Sequence, residues 1–148
     1  MSLSQKCQYA VRAVFELASR EDGEPVAISE IAATQAIPAK FLEAILAQLR
    51  QGGYVASRRG AQGGYILARS PEELAVGEII RFVDGPIDPV KCTTAPTKMD
   101  CPLKGQCVFI GLWQRARDAL AEVYETTFAD LLRQEEAMME RAVPSYCI

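Results

Sequence analysis

Residues 28–67 read ISEIAATQAIPAKFLEAILAQLRQGGYVASRRGAQGGYIL, and this stretch decides the fold. Residues 29–36 suit a short helix, with Ser29 at its N-cap and Ile31, Ala32 and Ala36 on one face. Ile37-Pro38 interrupts it. Proline fits the first turn of a new helix, where its missing N–H costs nothing. The second helix runs to about Gln51, with Phe41, Leu42, Ile45, Leu46 and Leu49 inward, and Gly52-Gly53 stops it. Two extended runs follow, YVASR at 54–58 and YILA at 65–68, joined by RGAQGG at 59–64. They predict a β-hairpin with a glycine-rich tip. Two short helices in a tight turn, followed by a basic hairpin, make a winged helix-turn-helix.

The second helix of such a unit is slim enough to enter the major groove of DNA. Its outward positions are Ala39, Lys40, Glu43, Ala44 and Gln48. Lys40 reaches a phosphate or a guanine edge, and Glu43 accepts from a cytosine amino group. Arg58 and Arg59 approach phosphates or a narrow minor groove, with Gly60 and Gln62 beside them at the tip. The glycines at 60, 63 and 64 let the backbone turn and come close to the duplex. The bland alternative is a solvated arginine hairpin on an ordinary helical domain. A phosphate-cradling P-loop is a poorer match, because the tip lacks the Gly-Lys-Ser/Thr ending.

Charge patterning favours the DNA alternative. The net charge of −3 argues against nucleic acid taken whole, but contacts are local on the scale of a Debye length. Residues 44–69 hold no Asp or Glu and four arginines, Arg50, Arg58, Arg59 and Arg69. The acids gather in the C-terminal third. At 148 residues and 49% hydrophobic, the chain has enough apolar sequence for one folded core. No apolar run approaches the ~20 residues of a membrane span. Residues 1–6 are polar and lack the apolar stretch of a signal peptide, so a cytoplasmic location is expected.

Outward from the core stretch, residues 4–20 show helical spacing at Tyr9, Ala10, Ala13, Val14, Leu17 and Ala18. Ser70-Pro71-Glu72-Glu73 resembles a capping box, and a helix follows over about 76–83. Residues 84–106 hold Pro86, Pro89, Pro96, Pro102 and Gly105 and predict a loop. From 107 to about 141 no proline interrupts, and Phe109, Trp113, Ala116, Leu120, Val123, Tyr124, Phe128, Leu131 and Met138 recur at helical spacing. One helix of that length would be ~45–50 Å long, beyond the diameter of the preceding domain. Its apolar stripe is expected to meet a second copy as a dimerisation helix. The expected class is mainly α with a small β-hairpin wing. The expected organisation is a DNA-binding unit at 1–84, a cysteine-rich loop at 85–107, and a long helix with its tail at 108–148.

The chain has five cysteines and no histidine. That removes His-dependent triads and His-containing zinc sites. There is no Cys-x-x-Cys pair, so a thiol oxidoreductase is not supported and no small-molecule substrate is implied. Cys92, Cys101 and Cys107 cluster within sixteen residues, with Lys91, Lys98 and Lys104 nearby to offset thiolate charge. Three thiolates on a loop can hold an iron–sulfur cluster or another soft metal, with a fourth ligand from elsewhere. Buried apolar cysteines, a structural zinc site and a metal-free redox switch are the alternatives. Cys7 and Cys147 lie near the two ends, and no role for Cys147 is read from the sequence. A protein-interaction module built on the long helix is the remaining alternative of a different class.

Together these segments resemble the Rrf2 family of bacterial winged-helix regulators. The residues that carry the likeness are KCQYAV at 6–11, ISEIA at 28–32, FLE at 41–43, RGAQGGY at 59–65, VGEII at 76–80 and the cysteine loop. The resemblance implies a homodimer on a roughly palindromic operator. It implies that Cys92, Cys101 and Cys107 ligate an iron–sulfur cluster whose state changes DNA affinity. It also implies that Glu43 helps distinguish operators and that Arg59 enters the minor groove. One branch of the family has a histidine ligand three residues after the third cysteine, where this chain has Ile110. In another branch the fourth ligand comes from the first helix of the other subunit. Here that means Cys7 or Gln8 of the partner subunit. A 2Fe–2S cluster is taken ahead of 4Fe–4S.

Overall fold

The computed structural model describes residues 2–20, 23–93 and 100–142. Cys147 and Lys98 lie outside them. Six helices and one hairpin are described: α1 (Gln5–Ala18), α2 (Ile28–Thr34), α3 (Ala39–Gln51), β1 (Val55–Arg58), β2 (Gly64–Leu67), α4 (Val76–Asp84), α5 (Ile110–Tyr124) and α6 (Phe128–Ala142). A 3-10 turn spans Lys91–Thr93.

The core forms where the apolar stripes of the helices converge. α1 contributes Ala10, Ala13, Val14 and Leu17, α3 contributes Leu42, Ile45, Leu46 and Leu49, and α4 contributes Ile79 and Ile80, all buried. Ser4 caps α1, accepting from the Cys7 N–H at 3.0 Å. A buried carboxylate ties α1 to the helix-turn-helix. Glu16 is 4% exposed and accepts from Arg20 at 2.5 Å and from Gln35 at 2.9 Å.

Three local expectations change. α2 begins at Ile28 with Ala27 as its cap, so Ser29 sits inside the first turn and caps nothing. Pro38 is the cap residue of α3, one position before the first turn. Ser70 to Glu73 forms a turn, in which the Glu73 N–H reaches the Ser70 carbonyl, and the next helix waits until Val76.

The hairpin pairs Val55 with Leu67 through Arg58 with Gly64. Val26 adds to its outer edge: its N–H and carbonyl both bond Tyr65, each at 2.9 Å. This close approach explains Gly64. A Cβ there would lie 2.4 Å from the Val26 carbonyl oxygen. Gly64→Ala is therefore expected to destabilise the fold by about 1–3 kcal/mol through overpacking against backbone. Urea unfolding checks this, and an unchanged midpoint at constant m would show that the bridge yields freely.

The single helix expected over 107–141 is two helices. α5 and α6 each have 15 residues, so each is about 22 Å long. The break has a capping cause. The Thr127 hydroxyl accepts from the Asp130 N–H at 3.1 Å, and the Asp130 carboxylate accepts from the Thr127 N–H at 3.0 Å. The Asp130 carboxyl is held below the usual carboxylate range by these bonds, first the one from the Thr127 backbone. The break is stitched to the segment before α4 by Val76 N–H to Thr126 O at 2.9 Å and Phe128 N–H to Leu74 O at 3.0 Å. Phe128 is fully buried in the chain's own core and is not part of an exposed stripe.

Candidate nucleic-acid interface and cysteine site

α3 buries one face and leaves the other open because its apolar residues follow the Leu42, Ile45, Leu46, Leu49 stripe. Ala39, Lys40, Glu43 and Ala44 are exposed, and Gln48 is half-buried. Phe41, expected inward, is 59% exposed and stands among the outward residues. It rims a shallow apolar cavity of about 320 Å³ with Tyr9, Ala44 and Ile45.

The wing presents Arg58, Arg59, Gly60 and Gln62 to solvent. Gly60 has φ 129°, a conformation that favours glycine, and a Cβ on Gly63 would lie 2.6 Å from the Arg58 carbonyl oxygen. Gly60 is thus fixed by its backbone conformation and Gly63 by the close approach of the tip's own backbone. Among the described residues, Lys40, Arg58 and Arg59 form no ion pair. Arg69 differs from them: it pairs with Glu78 at 2.7 Å. The hydrogen bond from Arg69 is the first cause holding the Glu78 carboxyl below its usual range. Arg50, exposed at the end of α3, donates to the Ser57 hydroxyl at 3.3 Å. Of the four arginines in the acid-free stretch, Arg58 and Arg59 at the wing tip are the two whose side chains have no polar partner among the described residues.

Cys92, Cys101 and Cys107 are half-buried thiols that line one cavity of about 220 Å³ with Leu103, Lys104 and Ile110. Cys92 arrives on the 3-10 turn, and Cys107 lies just before α5. They surround the space loosely. Among the described residues, no three Cys, Asp or Glu side chains stand close enough to hold a single metal ion. Cys7 is elsewhere: it is fully buried in the core, where burial and the neighbouring Asp84 carboxylate push its thiol up to about 11. Gln8 is exposed on α1, its amide donating to the Leu3 carbonyl at 3.1 Å.

α5 has no residue buried within the chain. Val108, Phe109, Leu112 and Val123 are each more than half exposed on it or just before it.

This arrangement of helix-turn-helix, basic wing and helical arm defines a winged-helix DNA-binding transcription regulator. The chain belongs to the Rrf2 family, whose model, described as an iron-dependent transcriptional regulator, matches residues 3–134. It is 33% identical over 139 residues to IscR of Cronobacter sakazakii, covering 93% of this chain and 84% of the relative. The fold superposes on the structure of T. potens IscR with a TM-score of 0.75 and 36% identity, over 93% of this chain and 90% of that one. It also superposes on CymR, the global cysteine regulator of B. subtilis, with a TM-score of 0.71 and 37% identity, over 88% of this chain and 95% of that one. These relatives are transcription regulators, not enzymes. No described helix is long and apolar enough to cross a membrane.

Proposed function

We propose that this chain acts as a cytoplasmic homodimer that binds operator DNA through α3 and the wing and senses iron–sulfur status through Cys92, Cys101 and Cys107. The observation that carries the sensing part is that three thiols from two separate segments line one cavity at the head of α5. The donor set suits a cluster on its chemistry: three thiols line one cavity, the chain has no histidine, and thiolates are the donors that iron–sulfur clusters take. Burial of Cys7 leaves Gln8 of the partner subunit as the exposed candidate for a fourth donor, and an amide is a weak one. A bound cluster would supply an oxidant- and nitric-oxide-sensitive link among the three thiolates. The chain's own part is to order Lys91–Thr93 and residues 100–107 against α5. Because α5 carries the exposed apolar face, that order sets the spacing of the two recognition helices. Either cluster type is compatible with three thiols, with 2Fe–2S preferred.

The test is anaerobic reconstitution with iron and sulfide, followed by iron analysis, visible and EPR spectra, and operator titration of the holo and apo forms. Visible charge-transfer absorption and a difference in DNA affinity between the forms are expected. A colourless, iron-free product would reject the cluster. The second reading, thiol regulation with no cluster, is favoured by the likeness to Staphylococcus aureus CymR, whose structure is known in an oxidized form. It predicts instead that oxidant alone shifts DNA affinity.

For the interface, Arg59→Ala is expected to weaken operator binding about tenfold and to lower the salt slope by about one. Fluorescence anisotropy at several salt concentrations checks both. An unaltered slope would remove Arg59 from the phosphate or groove contacts.

A further inference from the structure

Two of the three clustered thiols travel with α5. The Lys104 N–H bonds the Cys101 carbonyl at 3.0 Å, the Gln106 N–H bonds Leu103, and the Ile110 N–H bonds Cys107 at 3.3 Å, leading directly into the helix. Cys92 sits on the separate Lys91–Thr93 turn, so something must hold that turn beside α5.

Arg117, on the middle of α5, reaches it. Its Nη1 donates to the Thr93 carbonyl at 3.1 Å, across 24 residues of sequence. Its Nε and Nη2 both donate to Asp118 Oδ1, at 2.9 and 2.7 Å, which fixes the plane of the guanidinium and aims Nη1. Thr93 is itself anchored and is 8% exposed. Its hydroxyl lies 2.7 Å from both Asp88 Oδ1 and the Val90 carbonyl, one of which takes its single proton. Its N–H bonds the same Val90 carbonyl at 3.2 Å. Among the described residues, the Arg117–Thr93 bond is the only hydrogen bond between α5 and this turn.

We propose that Arg117 is a positioning residue that latches the Cys92 turn onto α5 and so keeps Cys92 beside Cys101 and Cys107 before any metal binds. A charge-assisted bond is stronger than a neutral one, and removing the donor leaves a carbonyl of a buried residue without its partner. The arm is also the helix with the unpartnered apolar face, so the latch joins the cysteine turn and that face into one mechanical unit. That last link rests on the proposed cluster-sensing dimer; the latch itself does not.

The test uses the full-length, iron-free, reduced protein. Alkylation by a maleimide is followed at each cysteine by peptide mass mapping in the parent, Arg117→Gln and Arg117→Lys. With Gln, Cys92 is expected to react roughly three- to tenfold faster, while Cys101 and Cys107 stay within about twofold of the parent. Lys keeps a charged donor and is expected to fall between the two. Cys7, buried in the core, is the internal reporter of unfolding. An unchanged Cys92 rate overturns the latch, and so does a rise shared by Cys7. Iron uptake is measured separately on the same three proteins. Failure of all three to bind iron would reject the cluster reading while leaving the alkylation result to decide the latch.

Discussion

Phe128→Ala is expected to destabilise the protein by about 3–5 kcal/mol, the usual cost of emptying a phenylalanine site in a packed core. Phe128 is fully buried and touches the cluster built by α1, α3 and α4. Its neighbours cannot close in easily, because the backbone on either side is fixed. The Phe128 N–H bonds Leu74, the Ala129 N–H bonds Pro71, and Val76 bonds Thr126. A cavity is therefore expected to remain. A loss of that size is a large share of the ~5–15 kcal/mol that keeps a domain folded. Urea unfolding and the thermal midpoint measure it, and the midpoint is expected to fall by roughly 10 °C or more. A loss below about 1 kcal/mol would mean that α6 is not anchored through this ring.

Phe128 also shows where sequence reasoning stopped. It lies at helical spacing from Tyr124 and Leu131, and no glycine or proline marks the break between α5 and α6. Periodicity alone therefore joined the two helices. The signal that was present is Thr127-x-x-Asp130, whose reciprocal capping bonds start a new helix without any breaker residue. The helix-turn-helix was legible for the opposite reason: Ile37-Pro38 and Gly52-Gly53 punctuate it, and the Leu42–Leu49 stripe is unambiguous. The wing was legible from its glycines, two of which are required by backbone packed within van der Waals distance. Phe41 was misplaced because its spacing from Ile45 fits a core face, but it falls at the edge of that face and the core closes without it. In the cysteine site, the grouping of Cys92, Cys101 and Cys107 was visible as spacing. Arg117 was not, since a guanidinium bonding a backbone carbonyl far along the chain leaves no pattern in the side-chain sequence.

Cys101→Ser is expected to reduce reconstituted iron to a small fraction of the parent value, and the same holds for Cys92→Ser and Cys107→Ser. Serine keeps the size and loses the soft donor that iron–sulfur clusters need. With three thiols around the cavity and only a weak amide as the candidate fourth donor, losing one leaves two, too few to retain the group. Cys7→Ser is the control. Cys7 is buried against its own core beside Asp84, so iron uptake is expected to be unchanged by its loss. The DNA readout sharpens the test. If the cluster acts by ordering the loop, the holo and apo parents differ in operator affinity by a coupling factor, typically about 5- to 150-fold. Each of the three serine variants is then expected to sit at the apo parent's affinity whether or not iron and sulfide are supplied. Operator titrations with and without reconstitution measure this. A serine variant that still responds to reconstitution would show that its cysteine is not a ligand. Loss of iron from Cys7→Ser would move the fourth ligand back into the core.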